Sequence, residues 1–370
     1  MTFVIENGAM IGMVGLALFF ILGTVLPLFS LDHWAIRIFD FPRVQISVGA
    51  AVTLGGLLVL GPSSFGEYAV VVVLGACLVY QIDHILPYTP LAPTQVRTAM
   101  GNEGESISLL ICNVERPNRD AESVLTLIED VDPDLFLALE TDSWWIEKLR
   151  DVEVRCADAL THPQEDEYGM ALYSKLPLVG PEVRFLVEED VPSIHTGIKL
   201  PSGAIVFLHG LHPRPPHPTH GPDTTERDAE LLYFARQVQD RDAPVIVAGD
   251  LNDVSWSYTA RLFQNVSGLL DPRIGRGIYN TFHARYPLFR YPLDHVFHSS
   301  DFRLAELEVL PYVGSDHFPV YVELRYDAEA LEDHAEPTVD DVEEAQVQHE
   351  LDKLYEKQKE RGPSASQGET

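Results

Sequence analysis

The chain has 370 residues, a hydrophobic fraction of 46% and a formal charge of −30, which leaves room for one large domain and a smaller appendage. A charge of that sign repels polyanions and argues against a protein that grips long nucleic acid through basic surface. The three cysteines, Cys77, Cys112 and Cys156, form no CxxC or Cys/His spacing, which excludes a disulfide framework or a zinc finger.

The N-terminal part is apolar. Residues 8–30 carry no charge, and two further apolar stretches follow over 44–62 and 68–82. About twenty residues at ~1.5 Å rise cross a ~30 Å hydrocarbon core, so residues 1–86 read as an anchor of about three transmembrane helices. The first stretch lacks a basic n-region and has two more spans behind it, unlike a cleaved signal peptide. The spans hold no Asp, Glu, Lys or Arg, unlike those of a transporter. Arg37, Arg43 and Arg97 fall on the side that bears the following domain, and the positive-inside rule places that domain in the cytoplasm. Residues 87–105, with three prolines, read as a linker.

The next region alternates short apolar runs with amphipathic segments. Strands are expected over 107–114, 134–140, 169–175, 193–200, 204–212, 243–252, 291–298 and 317–324. A helix over 121–131 presents Val124, Leu127, Ile128 and Val131 on one face and stops at Asp132-Pro133-Asp134. A second helix, with Thr225 and Asp228 as a capping box, bears Leu231, Leu232, Ala235 and Val238. Hairpins mixed with helix crossovers indicate an α+β sandwich. From residue 327 to the end the chain reads as an acidic, solvated tail with one short helix carrying Val347, Leu351 and Leu354.

Polar residues recur where the apolar runs stop: Asn113, Glu140, His212, Asp250, Asn252, Asp294, Asp316 and His317. Singly, each is an ordinary turn residue. Strand ends at one sheet edge converge, so together they can line a single cleft. The stretch HGLHPRPPHPTHGP holds His209, His212, His217 and His220. Its prolines predict a rigid exposed loop rather than a four-histidine metal site.

The segments LLICNV, DLFLALE, YGMALYSKLPL, GLHPRPP, VAGDLND, PLDHVFHS and GSDHFPV resemble, in order, the signature blocks of the endonuclease/exonuclease/phosphatase superfamily over about 107–326. That superfamily includes pancreatic-type DNases, abasic-site nucleases, neutral sphingomyelinases and inositol-polyphosphate 5-phosphatases. The three spans and the His-Pro-Arg-Pro-Pro block are most similar to a membrane-anchored bacterial group within it, which implies a multi-pass protein of a bacterial inner membrane. The resemblance implies a four-layered α/β/β/α sandwich of two mixed β-sheets over 106–326. It implies hydrolysis of a phosphodiester or phosphomonoester by activated water, with Mg²⁺, or Mn²⁺ in its place. Carried over residue by residue, it makes Glu140, Asn113 and Asp316 metal ligands, and pairs His317 with Asp294 in a dyad. His317 then abstracts the water proton or braces the phosphate, and Asp250 is the rival base. Asn252 holds the water or a phosphoryl oxygen, and His212 contacts the phosphate or the leaving oxygen. Tyr168 and Arg214 are candidates for substrate contact, Arg214 as a guanidinium fork. The expected partners are a lipid bilayer and a phosphorylated small molecule or lipid headgroup; acidity disfavours nucleic acid. A nuclease using Arg155, Arg184, Arg273 and Arg276 is the alternative enzyme, and a non-catalytic anchored binding module the alternative class.

Overall fold

A computed structural model describes residues 2–29, 32–101, 104–216, 223–327, 330–331 and 334–361, and the chain divides into two compact units. The first holds the residues through Pro93 with two short later segments. Its helices are α1 (Thr2–Val25), α2 (Trp34–Arg37), α3 (Arg43–Leu60) and α4 (Phe65–Ile85). Three stretches, Gly8–Leu28, Arg43–Leu60 and Phe65–Tyr88, are long and apolar enough to cross a membrane. The third runs beyond the expected 68–82 at both ends. Its first turn is secured by a capping box: Ser64 accepts from the Glu67 amide, and the Glu67 carboxylate accepts from the Ser64 amide at 3.1 Å. In the sequence Glu67 looks like an interruption; in the fold it is the cap. Ala17, Ala50, Leu57 and Leu74 form the interior of this bundle, where small residues let helices approach. One end is polar. Arg43 donates to Asp40 at 2.5 Å and to Gln81 at 3.0 Å, and Gln81 donates to Thr24 at 3.0 Å. Arg37 and Arg43, counted above for orientation, are therefore buried charges that tie helix ends together.

The second unit is α+β. Its strands are β1 (Glu105–Asn113), β2 (Leu135–Leu139), β3 (Asp158–His162), β4 (Met170–Ser174), β5 (Leu178–Phe185), β6 (Pro192–Lys199), β7 (Ile205–Gly210), β8 (Val245–Asp250), β9 (Asp294–His298), β10 (Phe302–Val309) and β11 (Val320–Tyr326). They form two mixed sheets, ordered β10-β11-β1-β2-β4-β3 and β5-β6-β7-β8-β9. The parallel pairs are β1–β2 and β7–β8. Between the sheets lies one apolar layer, with Leu109, Ile111, Leu137 and Leu139 from the first and Ile194, Leu208, Ile246 and Val296 from the second. The outer face of the first sheet is covered by α5 (Ala121–Val131), α6 (Ser143–Lys148) and α7 (Arg150–Glu153), through Val124, Ile128, Trp145 and Val152. The second is covered by α8 (Thr225–Gln239), α9 (Tyr258–Ser267) and α10 (Asp341–Arg361), through Leu231, Phe234, Phe263 and Val347. The four-layered sandwich is thus present.

Three details differ from expectation. The α8 N-cap is Thr224, not Thr225; its hydroxyl donates to the Asp228 carboxylate at 2.6 Å instead of closing a capping box. The expected linker is partly core: Val96 is fully buried between the sheets, and the Arg97 amide donates to His334. The expected solvated tail holds the 21-residue α10. Val347 seals the apolar layer over α8, and Lys357 pairs with Glu226 at 2.6 Å. One buried apolar position per few turns, flanked by charges, gave little hydrophobic pattern to read.

Candidate active site

Sheet register brings the polar residues together. Strands β1 and β2 run parallel, so Asn113 and Glu140 leave the same edge. Asp250 at the end of β8 stands opposite Asp294 at the start of β9. Ile111 pairs with Val320, which sets Asp316 and His317, just ahead of β11, beside the end of β1. Ser315 fastens that approach by donating to the Asn113 carbonyl at 2.7 Å.

The side chains form one connected cluster. Asn113 Nδ2 donates to Glu140 Oε1 at 2.9 Å and to Asp250 Oδ2 at 3.3 Å. His317 Nδ1 lies 2.8 Å from Asp294 Oδ2, and its Nε2 lies 3.4 Å from Asp250 Oδ2. His212 Nε2 stands 3.9 Å from the same Asp250 oxygen. Its Nδ1 is buried and has no hydrogen-bond partner among the described residues. The Asp316 side chain is close enough to influence Glu140 and His317 electrostatically, while its amide donates to Glu115 at 3.1 Å.

Electrostatics follow from this packing. Burial raises the carboxyl pKa of Glu140, Asp250 and Asp316 above the usual range, with Asn113 opposing it at Glu140 and His317 at the two aspartates. Burial works the other way on His317, but Asp294 and then Asp250 outweigh it and hold its pKa well above the usual imidazole value. His212 has no such partner at bonding distance, and burial depresses it to about 4. The two imidazoles therefore differ: one is held as a cation, the other as a neutral ring.

The donors suit a hard divalent cation. Three carboxyls raised by burial are short of positive charge, and oxygen donors match Mg²⁺ or Mn²⁺ chemistry. Two donor sets overlap here. Glu140, Asn113 and Asp316 are one; Asp250, Asp294 and His317, whose ligand atoms lie within 4.8 Å of one another, are the other. In the second set Asp294 Oδ2 already accepts from His317 Nδ1 and the imidazole is held as a cation, which offers a metal no lone pair, so the oxygen set fits better.

The remaining expected residues are placed less directly. Asn252 turns back through a left-handed conformation (φ 51°), its amide donating to Asp250 and its Nδ2 to the Pro213 carbonyl. It ties the His212 segment to β8. Gly249 is required beneath it, because a Cβ there would stand 2.0 Å from the Leu211 carbonyl oxygen. Tyr168 packs 5.7 Å from the His212 ring, and burial pushes its hydroxyl to about 12. Arg214 lies 4.6 Å over the Tyr168 ring, but its fork is occupied by Glu188 at 3.0 Å and Asp190 at 2.8 Å. His209 points to the helical face and meets His195 at 2.7 Å, away from His212; His217 and His220 lie outside the described residues. Of the arginines available to a nuclease, Arg155, Arg184 and Arg273 pair with Glu129, Glu182 and Asp271.

Several supports carry no sequence signal. The Arg116 amide donates to Glu140 Oε2 at 3.2 Å, and Thr281 Oγ1 accepts from the Leu293 and Asp294 amides. Arg227, buried in α8, donates to the Asn252 carbonyl at 2.7 Å and pairs with Asp228 and Asp253. Glu115 and Glu140 share the left-handed backbone of Asn252, the kind of conformation that clusters at functional sites. Only Glu115, two residues after Asn113, was within reach of a motif reading.

Comparison with known proteins agrees with this fold. Residues 110–317 match the model of the Endonuclease/Exonuclease/phosphatase family. D. rerio TDP2 complexed with a single-strand DNA product is 15% identical with a TM-score of 0.50, covering 60% of this chain and 99% of that one. The human Nocturnin catalytic domain with bound sulfate is 16% identical, also at 0.50, covering 60% and 94%. At such identities the likeness is one of fold. No curated protein matches the sequence.

Proposed function

The chain belongs to the endonuclease/exonuclease/phosphatase family, and from that premise we propose that it is a membrane-anchored, Mg²⁺-dependent hydrolase of a phosphodiester or phosphomonoester. The observation that carries this reading is the linked cluster Asn113–Glu140–Asp250–His317–Asp294 at one sheet edge. Members of the family hydrolyse phosphoesters and use divalent metals; the anchor rests on the three apolar stretches.

Glu140, Asn113 and Asp316 would hold the metal. A divalent cation there would neutralise the anionic oxygens of the ester and polarise the phosphorus. Asp294 orients the His317 ring by accepting Nδ1–H and supports its positive charge, which turns Nε2–H toward Asp250. Asp250 receives the proton of the attacking water, and the His317 cation, whose Nε2–H faces Asp250, braces the anionic phosphate. His212, neutral and with Nδ1 unpartnered, is placed to hydrogen-bond a phosphoryl or leaving oxygen. Tyr168, protonated to about pH 12, packs beside the His212 ring and holds it in place. Arg214, compensated by Glu188 and Asp190, acts through Tyr168 rather than as a free fork.

The test is turnover by the full chain in detergent, with and without Mg²⁺, on nitrophenyl mono- and diesters, phospholipids and oligonucleotides. Metal-dependent release from at least one small ester is expected. No turnover on any ester would overturn the hydrolase reading in favour of an anchored binding module. Cleavage confined to oligonucleotides would select the nuclease.

A further inference from the structure

The segment joining Asp271 to β9 has an unusual composition. From Pro272 to Leu293 it contains no Asp or Glu and four arginines, within a chain of net charge −30. Its second half is an ordered loop. Phe282 and Tyr291 bridge at its base, where the Phe282 amide donates to the Tyr291 carbonyl at 2.9 Å. The His283 amide donates to the Phe289 carbonyl at 3.0 Å, and Pro287–Phe289 forms a single 3-10 turn at the tip. On that tip Tyr286, Leu288 and Phe289 are 58%, 77% and 60% exposed. Three large apolar side chains held outward within four residues are costly in water and mark an interaction surface.

The loop is built onto the catalytic residues. The Phe282 ring lies 4.9 Å from the His317 ring, and the Ala284 amide donates to the Asp316 carbonyl at 2.7 Å. Arg285 is bound to Glu115 and the Gly314 carbonyl. Arg290, which forms no ion pair among the described residues, donates from Nη2 to the Ala284 carbonyl at 3.2 Å and stacks 4.8 Å over the Phe318 ring.

We propose that the 285–290 loop is a docking surface for phospholipid headgroups, seating Tyr286, Leu288 and Phe289 at the lipid interface and presenting a headgroup phosphoester to His317. Aromatic and aliphatic side chains beside arginine, without carboxylates, are the composition that settles at headgroup level. Arg290 complements the headgroup phosphate. The same chain carries three stretches long and apolar enough to cross a bilayer, which holds lipid at high local concentration. Nucleic acid could stack on the same rings, but the overall charge repels it. The proposal rests on the hydrolase reading for the cleavage and on the loop alone for the docking.

The experiment uses full-length protein in phosphatidylcholine/phosphatidylglycerol vesicles. Docking is read without catalysis: with Phe289→Trp, the emission gained over the parent is quenched when dibrominated phosphatidylcholine is included. Substrate presentation is read with Leu288→Ser combined with Phe289→Ser, which lowers phospholipid turnover tenfold or more and leaves a soluble nitrophenyl diester within twofold. The conservative Leu288→Ile retains both. Unquenched emission overturns the docking surface. Equal loss on both substrates, unchanged lipid turnover, or loss confined to an oligonucleotide overturns the presentation of lipid. A parent inactive on every ester counts against the hydrolase reading, while quenching still decides the docking.

Discussion

At the scale of single residues, the account turns on which proton sits where. Among the described residues Asp294 is the only carboxylate at bonding distance from His317 Nδ1, and Asp250 faces Nε2. Asp294→Asn keeps the shape but removes the charge that holds His317 protonated. Loss of a positioned proton-transfer group costs about 10²–10⁴-fold, and we expect a fall of that order in kcat with little change in KM, read from initial rates. An unchanged kcat would remove the dyad from the mechanism. The site carboxylates and imidazoles were legible because each ends an apolar run and several stand in dense blocks such as GDLND and SDHFP. The Arg116 amide, the Thr281 hydroxyl and buried Arg227 were not. They act through backbone groups or across long sequence separations, which leave no local pattern.

At the scale of elements, legibility followed burial. The interior strands β1, β2, β4, β6 and β8 are legible, since both faces of each are largely covered. The strands that went unread, β3, β5 and β10, are sheet edges, and β5 is largely exposed, so no apolar run marks them. The outer face of the second sheet carries a further consequence. His195 on β6 and His209 on β7 meet at 2.7 Å beneath Phe234 of α8. Burial depresses them to about 4 and about 3, against an ordinary value near 6.5. Unfolded histidine therefore binds protons that the folded pair refuses. Their contribution is complete above pH ~6.5 and is lost as the pH falls from there toward 4, at up to about 1.4 kcal/mol per pH unit for each group. The Tm of the full chain should drop through that window, and His209→Gln should make the drop shallower. Parallel pH profiles would contradict the pair's role.

At the scale of the whole molecule, the apolar N-terminal stretches, the fold and the charge bear on substrate choice together. The N-terminal stretches were legible from length and hydropathy alone, and the α/β/β/α sandwich from the order of its blocks. The extent of α4 and the packing of α10 were not, because one begins with a charged cap and the other is charged on most of its faces. A net charge of −30 repels an anionic polymer, and salt screens that repulsion over a Debye length of about 10 Å at 0.1 M. Any oligonucleotide KM should therefore fall as NaCl rises, the reverse of a basic nuclease, whose affinity drops with salt. A KM that rises with salt would point to a basic cleft and favour the nuclease. The central claim is that metal held at Glu140 drives phosphoester hydrolysis. It is tested most directly by the rate of nitrophenyl ester release against Mg²⁺ concentration, in the parent and in Glu140→Gln. The account predicts a saturable rise in the parent, abolished by EDTA, and no comparable rise in a folded Glu140→Gln. Turnover indifferent to chelation, or equal in the two proteins, would contradict it.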